Sequence, residues 1–202
     1  MSGDMYMNQE SLRWLIAAIC NATVVIWMLT ILLKTKKSEY FYRFFTTLSN
    51  LFAMAGCALI LPFCVAAVCT GKASVPDFVL LFKYVSAVSV CVTWLTVMFF
   101  LGPTQGYRTM FEKNGLYLHL IGPILCVGSC CFAERAVPSL PAALLGLIPT
   151  VLYGTVYYIE VIVKKHWEDF YGFDRGGNHY LSAAAMVLGT AAICVLLSVI
   201  TH

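Results

Sequence analysis

The chain has 202 residues, 60% of them hydrophobic and 11% charged, with a net charge of +3 and a mean hydropathy of +0.82. That much apolar surface excludes a water-soluble globular domain, whose exterior must face water. The small net charge gives no case for a nucleic-acid partner.

The apolar residues come in long unbroken runs, not in ten-residue alternating segments. The expected fold is therefore all-α, a polytopic membrane protein with six transmembrane helices in one domain over residues 1–202. Residues 1–11 are polar and carry Asp4 and Glu10, unlike the basic start of a signal peptide. Span one, residues 12–33, is long enough for a core of about 30 Å at about 1.5 Å per residue. It ends in Leu32-Leu33-Lys34 and not in small residues, so it is expected to be retained. Asn21 sits in its middle and is expected to hydrogen-bond a neighbouring helix.

Lys34, Lys36, Lys37 and Arg43 make the first loop basic, and span two follows over residues 44–69. A short loop holds Gly71, Lys72, Pro76 and Asp77. Span three covers residues 78–101, with Lys83 near its start and expected to snorkel. Gly102-Pro103-Thr104-Gln105-Gly106-Tyr107 has the turn chemistry to break it. Span four, residues 116–132, carries His119 and Gly122-Pro123. Pro123 clashes with the carbonyl four residues back, that of His119, so a kink is expected there. Glu134, Arg135, Pro138 and Pro141 read as the next loop. Span five, residues 142–163, contains Tyr153, Tyr157, Tyr158 and Glu160. Residues 164–175 mix charge with aromatic rings, as at a membrane interface, and span six covers residues 180–201 without charge.

Loops one, three and five hold nine basic residues (Lys34, Lys36, Lys37, Arg43, Arg108, Lys113, Lys164, Lys165, Arg175), against four on the other side (Arg13, Lys72, Lys83, Arg135). The positive-inside rule then puts both termini outside and the odd loops in the cytoplasm. Eight of the nine cysteines fall in apolar runs and Cys69 at a span end, so they read as small hydrophobes without a disulfide framework or zinc spacing.

Candidate chemistry begins in span two. Thr46, Ser49 and Asn50 stand at i, i+3 and i+4 and share a helix face, with Arg43 on the same stripe. One use of such a face is purely structural: threonines bond back to their own helix and Asn50 joins two helices. The other use involves His119. In the inferred topology Thr46 and His119 lie at one shallow depth in the cytoplasmic leaflet. A threonine hydroxyl becomes a nucleophile when a base takes its proton, and histidine suits that task. Ser49 and Asn50 are then candidate oxyanion donors, and Thr46 is expected to react in preference to Thr47, which is rotated about 100° away. Tyr157, Glu160, Trp167, Asp169 and Tyr171 are placed to line the site, with residues 167–173 packed over its mouth. No cofactor or metal is expected, since His119 is the only histidine well inside a span; His166 and His179 fall in a loop and at a span start, and His202 is terminal.

Phe44-Phe45-Thr46 with Ser49-Asn50, then Leu118-His119 with Pro123, resembles the androgen-induced-gene family of membrane threonine hydrolases, and most closely its bacterial multi-pass relatives. The resemblance implies an enzyme of the bacterial inner membrane that splits fatty acid esters of hydroxy fatty acids or similar acyl esters, with Thr46 as nucleophile and His119 as base. The expected partner is a membrane lipid or fatty acyl ester. Two alternatives stay open: a lipid acyltransferase using the same pair, and a non-enzymatic lipid-binding or transport protein. Transport predicts paired charges inside the membrane, for which Glu160 is the sequence's one candidate.

Overall fold

A computed structural model describes residues 9–35, 39–135, 139–174 and 177–201. Lys36, Lys37, Pro138, Arg175 and His202 lie outside the described residues. The described chain is all-helical, and six helices are long and apolar enough to cross a membrane: α1 (Gln9–Lys34), α2 (Phe45–Thr70), α3 (Asp77–Gln105), α4 (Tyr117–Glu134), α5 (Leu140–Val163) and α6 (His179–Thr201). This is an integral multi-pass membrane architecture. A 3₁₀ turn over Glu39–Arg43 leads into α2, and a short helix, Tyr107–Phe111, lies between α3 and α4.

Local chemistry explains the helix ends. Gly71 caps α2 in the left-handed region at φ 69°, its amide bonding the Ala67 carbonyl at 2.9 Å. Pro76 precedes α3 in an extended conformation, and Asp77 places a negative charge in the first turn. Helix α3 is the centre of the bundle: 61% of its most apolar stretch is buried, against 22% in α5 and in α6. It packs closely on α2, because a Cβ on Gly56 would collide with the Ser86 side chain. The core around it joins Ala53 and Cys57 of α2, Tyr84 and Val88 of α3, Cys126 of α4 and Cys194 of α6.

Three expectations about the ends of spans are corrected. The turn-forming run at 102–107 does not stop α3 at Leu101. The helix continues through Gly102-Pro103 to Gln105 and breaks at Gly106, at φ 92°. Pro103 is tolerated because Val97–Leu101 is a π-helical turn, so the ladder is already out of α register where the proline lacks its N–H. Pro123 is accommodated in the same way by the π turn Tyr117–Ile121 just before it. Glu134 is not a loop residue. It ends the π turn Ser129–Glu134 and is 4% exposed, turned into the bundle. Lys83 does not snorkel; it is 0% exposed.

Candidate functional site

A cavity of about 620 Å³ opens where the start of α2 meets α3, α5, α6 and the segment after α5. That volume falls within the ~300–1,000 Å³ typical of small-molecule sites. Val97, Phe100, Leu101 and Met186 make its surface apolar, while Thr46, Thr93, Thr150 and tyrosines contribute hydroxyls. Thr150 Oγ1 is buried without a hydrogen-bond partner among the described residues.

Thr46 is on the cavity wall, half-buried, whereas its neighbour Thr47 is 3% exposed and does not line the cavity. Phe44 is extended at φ −90°, so α2 starts at Phe45 and the first amides need acceptors from elsewhere. The Tyr171 hydroxyl accepts from the Phe45 N–H at 2.9 Å and neighbours the Thr46 side chain, and the Tyr153 hydroxyl donates to the Arg43 carbonyl at 2.6 Å. Two phenols thus anchor the chain just before Thr46. Burial pushes the Tyr171 phenol up against the lowering effect of the Phe45 N–H, which keeps it neutral.

The shared face of Thr46, Ser49 and Asn50 is present, but its use differs from the oxyanion expectation. Ser49 Oγ donates to the Thr46 carbonyl at 3.1 Å and shares a 2.7 Å hydrogen bond with Thr93 Oγ1 on α3. Asn50 Nδ2 donates to the Thr46 carbonyl at 2.8 Å and to the Leu118 carbonyl at 3.0 Å. Both N–H groups of that amide are taken, so Asn50 ties α2 to α4 one residue before His119 and has no donor left for an oxyanion.

His119 is half-buried, and its Nδ1 stands 2.6 Å from the Met110 carbonyl. A carbonyl only accepts, so Nδ1 carries the proton and, in the neutral ring, Nε2 keeps the lone pair. The turn that brings Met110 close needs Gly115, where a Cβ would strike the Met110 carbonyl. Among the described residues no hydrogen bond joins His119 to Thr46, and His119 is not in the cavity wall.

The segment after α5 covers this end of the bundle. Rings of Trp167, Phe170, Tyr171 and Phe173 surround Tyr157 at 5.1–6.5 Å, and Phe170 meets Phe44 at 4.7 Å. Tyr157, Tyr171 and Phe173 line the cavity. Glu160 and Trp167 line a separate surface cleft with Tyr42, Arg43, Lys164 and His166, where Glu160 is paired to Lys164 at 2.7 Å and to His166 at 3.1 Å. Asp169 lines neither. It organises the segment, accepting from the Tyr157 hydroxyl at 2.9 Å and from the Phe173 and Asp174 amides at 2.8 and 2.9 Å.

Burial pushes the Asp169 carboxyl up, but the Asp174 and Phe173 amides and the Tyr157 hydroxyl outweigh it and hold the group below the usual carboxylate range. Its contribution to the segment is therefore complete above the ordinary carboxylate pKa and disappears as pH falls through the depressed value. Trp167 fluorescence should report loosening at that acid edge, and Asp169→Asn should loosen the segment at neutral pH and abolish the transition.

A second polar cluster escaped sequence reasoning. The Lys83 Nζ donates to Asn21 Oδ1 at 2.8 Å, Cys57 Sγ at 3.0 Å and Cys126 Sγ at 3.4 Å, and stands 3.8 Å from Glu134 Oε1. Asn21 Nδ2 donates to Glu134 Oε1 at 2.5 Å, so Asn21 makes the interhelical bonds expected of it. Glu134 Oε2 is buried with no partner. The membrane-buried charge pair is thus Lys83 with Glu134, and not one involving Glu160. A lysine near one span end and a glutamate near another give no sign of meeting until the topology is known.

Comparisons with protein-family models, with curated proteins and with solved structures find no match.

Proposed function

We propose that the chain is an intramembrane lipid esterase, with Thr46 as nucleophile and His119 Nε2 as base, acting on fatty acid esters of hydroxy fatty acids or chemically similar acyl esters. The observation that carries this reading is the position of Thr46 on the wall of an apolar cavity large enough for an acyl chain. The Nδ1–Met110 bond adds support, since it leaves the ring's basic nitrogen available. The resemblance to the androgen-induced-gene family, and to its bacterial relatives of the inner membrane, agrees with these roles.

In the proposed reaction the Thr46 oxygen bonds the acyl carbon as its proton passes to Nε2. The alcohol then leaves with that proton, and water cleaves the acyl-threonine. An alcohol acceptor in place of water would make the same pair an acyltransferase. A fluorophosphonate probe on membranes should label the native chain and not Thr46→Ala. A second reading, lipid binding without cleavage, is favoured by the absence of a Thr46–His119 hydrogen bond among the described residues, and equal labelling of both proteins would support it.

The basic asymmetry between loops supports a topology with both termini outside. In a Cys69→Ala background, which removes the exposed native thiol, a cysteine at position 165 should then react with an impermeant maleimide only after the membrane is opened. Reaction in intact cells would reverse the orientation.

A further inference from the structure

Cys57 and Cys126 are both 0% exposed, come from different helices and have sulfurs 4.0 Å apart. The ammonium of Lys83 contacts each sulfur more closely, at 3.0 and 3.4 Å, than it approaches the Glu134 carboxylate at 3.8 Å. Its third proton goes to Asn21 Oδ1, which in turn is held through Nδ2 by Glu134. Asn21 and Glu134 thus aim a buried cation at a pair of thiols.

The physical consequence is specific. A neutral thiol is a weak acceptor, while a thiolate is a strong one and is the nucleophilic form of cysteine. An ammonium beside two sulfurs stabilises the thiolate of either, in surroundings where an isolated negative sulfur would be expelled. Packing alone needs no charge next to Cys57 or Cys126.

We propose that Cys57 and Cys126 form a redox-active dithiol, oxidised by hydrogen peroxide to a disulfide that joins α2 to α4. Peroxide is small and uncharged, as an oxidant reaching the interior of a bundle must be. One sulfur attacks a peroxide oxygen as a thiolate and the O–O bond breaks; Lys83 donates a proton to the departing hydroxide and takes up the one the thiol lost, so it ends as the ammonium it began. The sulfenic acid then condenses with the second thiol, releasing water. In total two thiols and one peroxide give one disulfide and two waters; sulfur loses two electrons and peroxide gains them. Closing 4.0 Å to a covalent bond needs the two side chains to swing together.

The helices so joined are those that carry Thr46 and His119. On the esterase reading, which this part alone rests on, the oxidised chain holds that pair at one fixed separation.

The test uses the full chain in detergent or liposomes. It is treated with dilute hydrogen peroxide, denatured, alkylated and mapped by mass spectrometry. The expected result is a cross-linked peptide pair containing Cys57 and Cys126, two hydrogens lighter than the reduced pair and restored by reductant. Cys57→Ser should abolish it, while exposed Cys69 is alkylated in every untreated sample. Lys83→Gln should slow cross-linking by about tenfold, a comparison made only if that variant is monodisperse. Full alkylation of both cysteines after peroxide, or a disulfide between other cysteines, overturns the proposal whatever Lys83→Gln does. A cross-link formed equally fast in folded Lys83→Gln overturns the role of the ammonium. Esterase activity is measured separately, so its absence would defeat the proposed function and leave the dithiol standing.

Discussion

Lys83→Met should lower the stability of the bundle by about 3–5 kcal/mol, the cost of breaking a buried ion pair from one side. Methionine nearly matches the lysine stem in volume, so little of the loss comes from a cavity. It comes from Glu134, left as a buried carboxylate whose remaining partner is Asn21 and whose Oε2 already lacks one. Glu134→Gln should cost less, because Lys83 keeps Asn21 and two sulfurs and the amide keeps a hydrogen-bonding group at the same place. The double variant removes both charges and should recover much of the loss, with a coupling of up to about 3 kcal/mol. Unfolding of detergent-solubilised protein, followed by circular dichroism, measures all three. A Lys83→Met chain within about 0.5 kcal/mol of the parent would mean that the pair is not ionised.

The second large effect concerns turnover. If Thr46 and His119 act as one unit, Thr46→Ala and His119→Ala should each reduce ester hydrolysis by about a thousandfold or more, and the double variant should lose little beyond either. Multiplicative losses would show that they act separately. Asn50→Ala should have an intermediate effect, because Asn50 bridges the Thr46 and Leu118 carbonyls and so sets the spacing of α2 and α4 beside both residues. Thermal stability measured on the same samples separates loss of chemistry from loss of packing. Thr47→Ala, a buried change off the cavity wall, should leave turnover near that of the parent.

The candidate site was partly legible in the sequence, and for stated reasons. The i, i+3, i+4 spacing predicts that Thr46, Ser49 and Asn50 share a face, and helix geometry delivers it whatever surrounds the helix. The spacing is silent on what that face meets. Thr93 on α3 and the Leu118 carbonyl on α4 decide that Ser49 and Asn50 are tied to neighbours rather than aimed at a ligand. Tyr157 and Tyr171 reach the cavity as expected, while Glu160 and Trp167 turn to the adjoining cleft. Tyr153, Thr93 and Thr150 gave no signal, because a tyrosine or threonine on an apolar helix looks the same facing lipid or a cavity.

By itself the sequence determined the helical membrane class and the approximate position of six spans, since unbroken apolar runs in a solvent without water leave the backbone only its own helix to bond. Tertiary structure alone decided what the polar residues inside those spans do. Lys83 read as a span-end residue and Glu134 as a loop residue, both able to reach water, until the π turn at Ser129–Glu134 and the packing of α2 and α4 on α3, with Asn21 reaching in from α1, enclosed them together. The reason is physical: hydropathy is a sum along one helix, whereas the partner that makes a buried charge tolerable comes from another helix, and its distance is set by packing.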